Sequence, residues 1–547
     1  MERTIVYGKI WTGDDRCPLA EAMVISEGRV LALGTAKQIE AYKNHQTNEI
    51  HCGSGLIMPG ITEGHAHVNQ MVELLFGPFV DGKTVPAYQA QISDWIKKHP
   101  DAQYIYGCGF ENGVFDADGP RASQLDEIEK DRPIVMASSD HHAYWVNTKA
   151  MEISGIDEST PNPLNGEIVK DADGKPTGWL KETASALAKP AMPEMNKAAY
   201  KKAIIAYQDM ALSYGVTSVY EPMMAVEAKV DDIVQAYQEL TEEGRLYLDF
   251  HVSQAIRETG DPDAVIQRSL QLREQFRDNP HVSFDTIKMF MDGVVEGHTA
   301  YLRDDYSDAP GDCGACVYPD QDVLNGIVKK VLAEHFHLHV HAIGDAALDA
   351  ILTAVEKAEG TLPKPKGGFH VAVTHLQVVA PDQIEKMKRL GIVAVVNPYW
   401  HWKDPVYYDA LEVPYLGEER AAAEYPVASF VKSGVTTSQG SDFPVTVPPD
   451  TMLCLHMMVN RLHPDFTDAG VLGPKECISV DDALKILTVG GAIQNDVDEM
   501  RGALSPGKRA DFIALDQDVT TLEKRKLFQT KVKSVWIAGK QVYKRHQ

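Results

Sequence analysis

Two rhythms of hydrophobic and polar positions divide the 547-residue chain. At both ends, apolar residues come in short β-branched and aromatic runs broken by glycine. TIVYGKIWTGD and MVISEGRVLALG near the start predict strands and hairpins, as do ADFIALDQD and VKSVWIAGKQVYKR near the end. Like ends around a different middle predict one small β-sandwich domain assembled from both termini, residues 1–58 and 498–547. In the middle, continuous apolar runs alternate with helical periodicity. PIVMASSD, VTSVYEP, LYLDFHVS, FDTIKMFMDG, FHLHVHAIGD, VAVTHLQV, IVAVVNP and TTSQGSD are separated by segments such as KKAIIAYQDMALSYG and IEKMKRLG. Strands apolar on both faces that alternate with helices predict parallel βα units.

About eight such units over residues 59–497 favour an α/β fold of the (β/α)8 TIM-barrel type. The open doubly wound alternative lacks a glycine-rich fingerprint after an early strand. Residues at about 69–130 and 155–195 break the rhythm with DADGP, STPNPLNG and DADGKPTG, and read as insertions at a barrel mouth.

Composition narrows the function classes. With 44% hydrophobic and 24% charged residues the chain has ordinary globular composition. Its net charge of −25 disfavours nucleic acid and anionic membrane surfaces as partners. Seven scattered cysteines argue against a disulfide framework. No apolar run reaches the ~20 residues of a membrane helix, and the first residues lack a secretory h-region, so a cytoplasmic location and a small-molecule substrate are expected.

The chemistry gathers where apolar runs end. LIMPG stops at Pro59-Gly60, and His65 and His67 follow with one alanine between them. On an extended chain both rings reach one point, as a metal requires, although an arbitrary H-x-H is more often a pair of solvent histidines. HFHLHVHAIGD carries histidines 335, 337, 339 and 341 on one face; His341 at the strand end is the ligand candidate, His339 equally a ligand or a packed neighbour. Asp345 caps the following helix. His375 closes VAVTH and Asp442 follows TTSQGS; alone, the first reads as a satisfied core histidine and the second as a turn residue. Lys288 sits inside the apolar FDTIKMF, where an ammonium needs a partner such as Asp292 or Glu221, or a changed charge state. Cys313 and Cys316 form a lone C-x-x-C, which lacks the second pair of a structural zinc site, and Cys108 has no base nearby in sequence.

In order, H-x-H, Lys, His, His and Asp arrive at successive strand ends, where barrels place catalytic residues. The series resembles the metal-dependent amidohydrolase superfamily, and within it the YtcJ-like branch. The blocks that carry the resemblance span nearly the whole chain: LIMPGITEGHAHV, DRPIVMASSDHHAYWVNTKA, DGKPTGWLKETA, GVTSV, IKMFMDG with HTAYL, HVHAIGDAALD, VTHLQVV, GSDFP and GALSPGKRADFIAL. The resemblance implies a divalent metal site, zinc first among candidates, of one or two ions held by His65, His67, His341, His375 and Asp442. It further implies a carbamylated Lys288 as a bridging ligand, and a homodimer in solution.

By the same resemblance, metal-activated water cleaves a non-peptide C–N bond of an amide, carbamate or cyclic amide, with Asp442 as the proton carrier and the metal, together with His375 or His142, polarising the carbonyl. A deaminase, isomerase or decarboxylase on the same site, or a non-enzymatic metal-binding regulator, stands as the alternative. The chain departs from the branch at Asp140-His141-His142, at VVEGHTA around His298, and at Asn397-Pro398-Tyr399-Trp400-His401-Trp402. Substrate contacts are therefore expected from His142, Trp145, His298, Tyr399 and Trp400, with Tyr144 beside them, although aromatic density serves cores as often as pockets.

Overall fold

A computed structural model of the chain describes residues 3–116, 118–138, 143–163, 166–224, 230–257, 260–363, 368–405 and 407–545. By contacts it forms two compact units. One comprises residues 1–67, 207–228 and 239–547; the other comprises residues 68–206 and 229–238.

The first unit holds an eight-stranded, all-parallel sheet of the (β/α)8 type. Its strands, in chain order and in space, are β1 (Ile61–Glu63), β2 (Val216–Glu221), β3 (Asp249–Ile256), β4 (Val282–Phe290), β5 (His337–Ala342), β6 (Val371–His375), β7 (Val393–Val396) and β8 (Thr437–Gln439). Helices Pro262–Gln275, Gln321–Ala333, Asp345–Glu359, Pro381–Leu390 and Val427–Ser433 follow β3 to β7 in turn. β2, β6 and β7 are buried along their whole length, which is why they read as continuous apolar runs.

Main-chain hydrogen bonds close the ring between its first and last strands. The Gly64 N–H donates to Gln439 O at 2.8 Å, Asp442 N–H to His65 O at 2.8 Å, and His67 N–H to Phe443 O at 2.7 Å. Closure needs glycine on both sides. A Cβ on Gly64 would stand 2.6 Å from Gln439 O, and one on Gly440 would stand 2.5 Å from His65 Cβ.

The small domain is a seven-stranded sheet drawn from both termini, as the end patterns predict. Arg3–Trp11 pairs antiparallel with Leu19–Ser26 and parallel with Thr47–Pro59, and Phe512–Leu515 joins the last of these. Val532–Ile537 and Lys540–Lys544 form the C-terminal hairpin around Gly539, at φ 73°. The sheet is fastened to the start of β3 by a buried charge cluster. Asp249 receives Arg501 and Arg509, and Arg509 also pairs with Asp511 at 2.6 Å.

The sequence reading needs one correction here. PIVMASSD is not a barrel strand; Ile134–Ser138 belongs to the second unit, in a five-stranded sheet with Ile105–Phe110, Ala143–Val146, Pro176–Glu182 and Gly166–Lys170. A central strand of any covered sheet carries the same unbroken apolar run, so pattern alone does not say which sheet owns it. The stretches read as insertions lie in this same unit.

All seven cysteines are free. Among the described residues no helix is long and apolar enough to cross a membrane.

Candidate metal centre

β1 stops at Glu63, and the chain carries His65 and His67 across the barrel mouth toward the end of β8. There Asp442 turns into the left-handed region at φ 56°. His375 at the end of β6 does the same at φ 78°. Side-chain-bearing residues enter this region at a cost of order 1–3 kcal/mol, and such strain collects at functional sites.

The result is one cluster. Nε2 of His65 and Nε2 of His67 each lie 3.3 Å from the same atom, Oδ1 of Asp442. Donor atoms of the three residues all fall within 4.8 Å of one another. The ring of His375 lies 5.2 Å from that of His65 and 4.5 Å from that of His341, centroid to centroid. Lys288 is buried in β4, opposite His339 on β5, with its ammonium 5.0 Å from the Phe290 ring. It is near enough to bear electrostatically on His65, His339, His341 and His375. The structure thus groups the donor atoms of His65, His67 and Asp442, sets the His375 ring beside His65 and the His341 ring beside His375, and buries Lys288 on the neighbouring strand.

Hydrogen bonds on the far side of the His375 and His341 rings fix which nitrogen is bare. Asn397 gives its amide N–H to Gly440 O at 2.9 Å, so its oxygen faces Nδ1 of His375, also at 2.9 Å. His375 therefore carries its proton on Nδ1 and leaves Nε2 with a lone pair. Nε2 of His341 donates to Gly293 O at 2.9 Å, which leaves its Nδ1 bare. Nδ1 of His65 lies 2.9 Å from Nε2 of His339. His339 is the supporting neighbour of the two readings left open for it, and its ring stacks on Tyr220 at 4.4 Å.

Electrostatics prepare the same set for a cation. Burial pushes the His65 imidazole down to about 3 and His341 to about 4, with Lys288 adding to both, so these rings are neutral at pH 7. Burial and neighbouring histidines hold His375 well below its ordinary value as well. Burial would raise Asp442, but His65, His67 and His375 outweigh it and keep the carboxylate ionised. Burial lowers Lys288 to about 7, despite the attraction of Asp442.

The donor set fits a divalent ion. Neutral imidazoles and a carboxylate are the ligands that zinc takes, at about 2.0–2.2 Å. Two such donors on a coordination tetrahedron stand roughly 3.3 Å apart, the spacing that this geometry implies. Asp442 Oδ1 shows that spacing twice, and is buried with no hydrogen-bond partner; His67 Nδ1 is another buried nitrogen without one. One of the two rival partners for Lys288, Asp292, is engaged elsewhere: its carboxylate accepts backbone N–H groups from Tyr301, Ile343 and Gly344 at 2.8–3.0 Å.

The residues expected at the substrate divide. Trp400 stacks on His375 at 5.4 Å and so borders the cluster. The Tyr399 hydroxyl is committed to the 448–450 turn, donating to Pro448 O at 2.5 Å and accepting from the Asp450 N–H. His298 stacks on Tyr306 at 4.4 Å and faces Asp308 at 3.3 Å; neither is a residue of the cluster. Trp145, expected on a pocket wall, is instead fully buried in the second unit. It packs against Phe110 and Phe115 and donates its indole N–H to Arg121 O at 2.9 Å. His142 lies outside the described residues.

Two participants escaped the sequence reading: Glu63, and Asn397 as the partner of the His375 ring. Glu63 accepts N–H bonds from His65 at 3.1 Å and Ser441 at 2.8 Å, tying the two ends of the site together. Burial lifts it to about 8, so it is protonated at neutral pH. Its alternation with His65, two residues on, was the available signal.

Comparison with known proteins identifies the family. The chain is 27% identical over 547 residues to the putative amidohydrolase YtcJ of Bacillus subtilis, covering 98% of each. It is 24% identical to the N-substituted formamide deformylase of Arthrobacter pascens, covering 99% of this chain and 98% of that one. An uncharacterized metal-dependent hydrolase from Pyrococcus furiosus shares the fold with a TM-score of 0.72 at 24% identity, over 95% of this chain and 100% of the other. Residues 49–543 match the amidohydrolase family as a whole, and the chain belongs to that family.

Proposed function

We propose that the protein is a metal-dependent hydrolase that cleaves a non-peptide C–N bond in a small molecule, an amide, carbamate or cyclic amide. The observation that carries this reading is the buried Asp442 oxygen held 3.3 Å from both His65 and His67 without a hydrogen bond of its own. The similarity to an N-substituted formamide deformylase supports an amide-like substrate.

His65, His67, His341, His375 and Asp442 would hold one or two ions, with a carbamylated Lys288 as a further ligand. Zinc suits the imidazole-rich donor set. When bound, a divalent ion polarises a carbonyl and acidifies water toward a pKa of about 7. The chain's own groups do the rest. Asp442, ionised by its histidine neighbours, takes a proton from the attacking water and returns it to the leaving nitrogen. Asn397 fixes the His375 ring so that Nε2, not a proton, faces the cluster. Trp400 offers an aromatic face beside it for the substrate.

Lys288 enters by a separate step. Its amine, lowered to about 7 by burial, attacks CO2; an N–C bond forms, one proton leaves, and the product is a carbamate anion able to ligate a metal.

The test combines metal analysis with a panel of N-acyl, N-formyl, carbamate and cyclic-amide substrates. Hydrolysis should vanish on chelation and return with zinc, and Asp442→Asn should lower turnover by at least about 100-fold. Activity that survives complete metal removal, or near-full turnover in Asp442→Asn with metal retained, would overturn the reading. Release of ammonia from a heterocycle with no acid product would mark a deaminase instead.

A further inference from the structure

At the opposite end of the barrel from the site, three further side chains converge. His337 opens β5, His370 directly precedes β6, and Asp496 lies just beyond the helix Gly491–Gln494. His370 Nε2 is 3.3 Å from Asp496 Oδ1, and His337 Nε2 is 3.8 Å from Asp496 Oδ2. The two rings are 4.8 Å apart and tilted by 38°, and donor atoms of all three residues lie within 4.8 Å of one another.

These spacings do not belong to hydrogen-bonded ion pairs, which close to about 2.7–2.9 Å. Burial, with His370 adding to it, also holds His337 down at about 3, so it is neutral and unable to form such a pair at pH 7. Ring nitrogens that face carboxylate oxygens at 3.3–3.8 Å have the separation of ligands around a common ion. A small cavity of about 10 Å³, room for a single water, is bordered by His337, His370, Gln494 and Asn495. The buried Nδ2 of Asn495 has no hydrogen-bond partner.

We propose that His337, His370 and Asp496 form a second cation site at the base of the barrel, for a borderline divalent transition ion such as Zn2+. Two imidazoles and one carboxylate select against Mg2+ and Ca2+, which take oxygen ligands. The site joins β5, the approach to β6 and the chain leading into the C-terminal strands. Its ion therefore acts as a clip across three segments that are distant in sequence, separate from the ion at the mouth.

The experiment uses the full-length protein equilibrated with Zn2+ alone, reading bound zinc per chain and the zinc-dependent rise in Tm. The side chains of His370 and Asp496 are 26% and 53% exposed, so His370→Ala and Asp496→Asn should both fold. Each should lose one equivalent of zinc and most of the zinc-dependent rise in Tm, because an ion that binds only the native state stabilises it. Asp442→Asn should keep this equivalent while losing zinc at the mouth, so failure of one site is distinguishable from failure of the other. Unchanged zinc content in both base variants would overturn the proposal. If His370→Ala does not fold, Asp496→Asn decides alone.

Discussion

Asn397 holds its side-chain oxygen 2.9 Å from Nδ1 of His375 while its amide nitrogen donates to the carbonyl of Gly440. One side chain on the turn after β7 thus links the ends of β6 and β8, and chooses the tautomer of a ligand. Partners of this kind are worth about 10–100-fold in metal affinity or activity. Asn397→Ala should show a loss of that size, measured as the zinc dissociation constant and as turnover. Asn397→Asp keeps the acceptor but sets a charge against the Gly440 carbonyl, and should fall between. Unaltered metal affinity in Asn397→Ala would remove the orienting role.

Lys288 makes a spectroscopic prediction. Protein grown and purified with 13C-bicarbonate should show a carbamate carbon resonance that is absent from Lys288→Arg. Removing CO2 during reconstitution should reduce recovered activity, and restoring bicarbonate should return it. A wild-type spectrum without that resonance, on fully active protein, would leave Lys288 as a plain amine.

Trp145 separates core from pocket. As a fully buried side chain wedged against Phe110 and Phe115, it should cost about 3–5 kcal/mol when replaced by alanine. Trp145→Phe should recover most of that loss and leave KM unchanged. A raised KM with full stability in the phenylalanine variant would return the residue to the substrate.

Asp249 carries a pH dependence. Burial would raise its carboxyl, but Arg501, His281 and Arg509 together pull it below the ordinary value of about 3.9. A folded-state pKa below the unfolded one means that the stabilisation is full above about pH 4–5 and fades as pH falls toward the folded pKa. Asp249→Asn leaves two arginines without their buried partner and should cost about 3–5 kcal/mol at pH 7. Urea melts at pH 7 and pH 3 should show the gap between wild type and variant narrowing at the lower pH. An equal gap at both would contradict the ion-pair account.

The order of the proposed ligands was visible because most of them end an apolar run: His65 and His67 after Pro59-Gly60, and His341 and His375 at strand ends, with Asp442 after TTSQGS. The barrel was readable for the same reason, yet Ile134–Ser138 mimicked one of its strands, since burial on both faces leaves no mark of which sheet a strand joins. Asn397 was missed because an asparagine before proline looks like turn chemistry; its value lies in a contact 22 positions away. Trp145 and Trp400 looked alike, and only packing separates a core indole from one lying on a ligand. His337, His370 and Asp496 carried no shared pattern, because the sheet, not the chain, makes them neighbours.

The closure of the barrel has a consequence in time. Glu63 reaches Ser441 across 378 positions, and His65 and Asp442 meet at the same seam. At about 5–20 residues per second, a ribosome needs roughly 20–75 s to pass from the first ligands to the last. Through that interval His65 and His67 wait as an ordinary exposed pair. Metal can be captured in its final form only after the eighth strand has docked, so ion loading marks the completion of a chain, not its beginning.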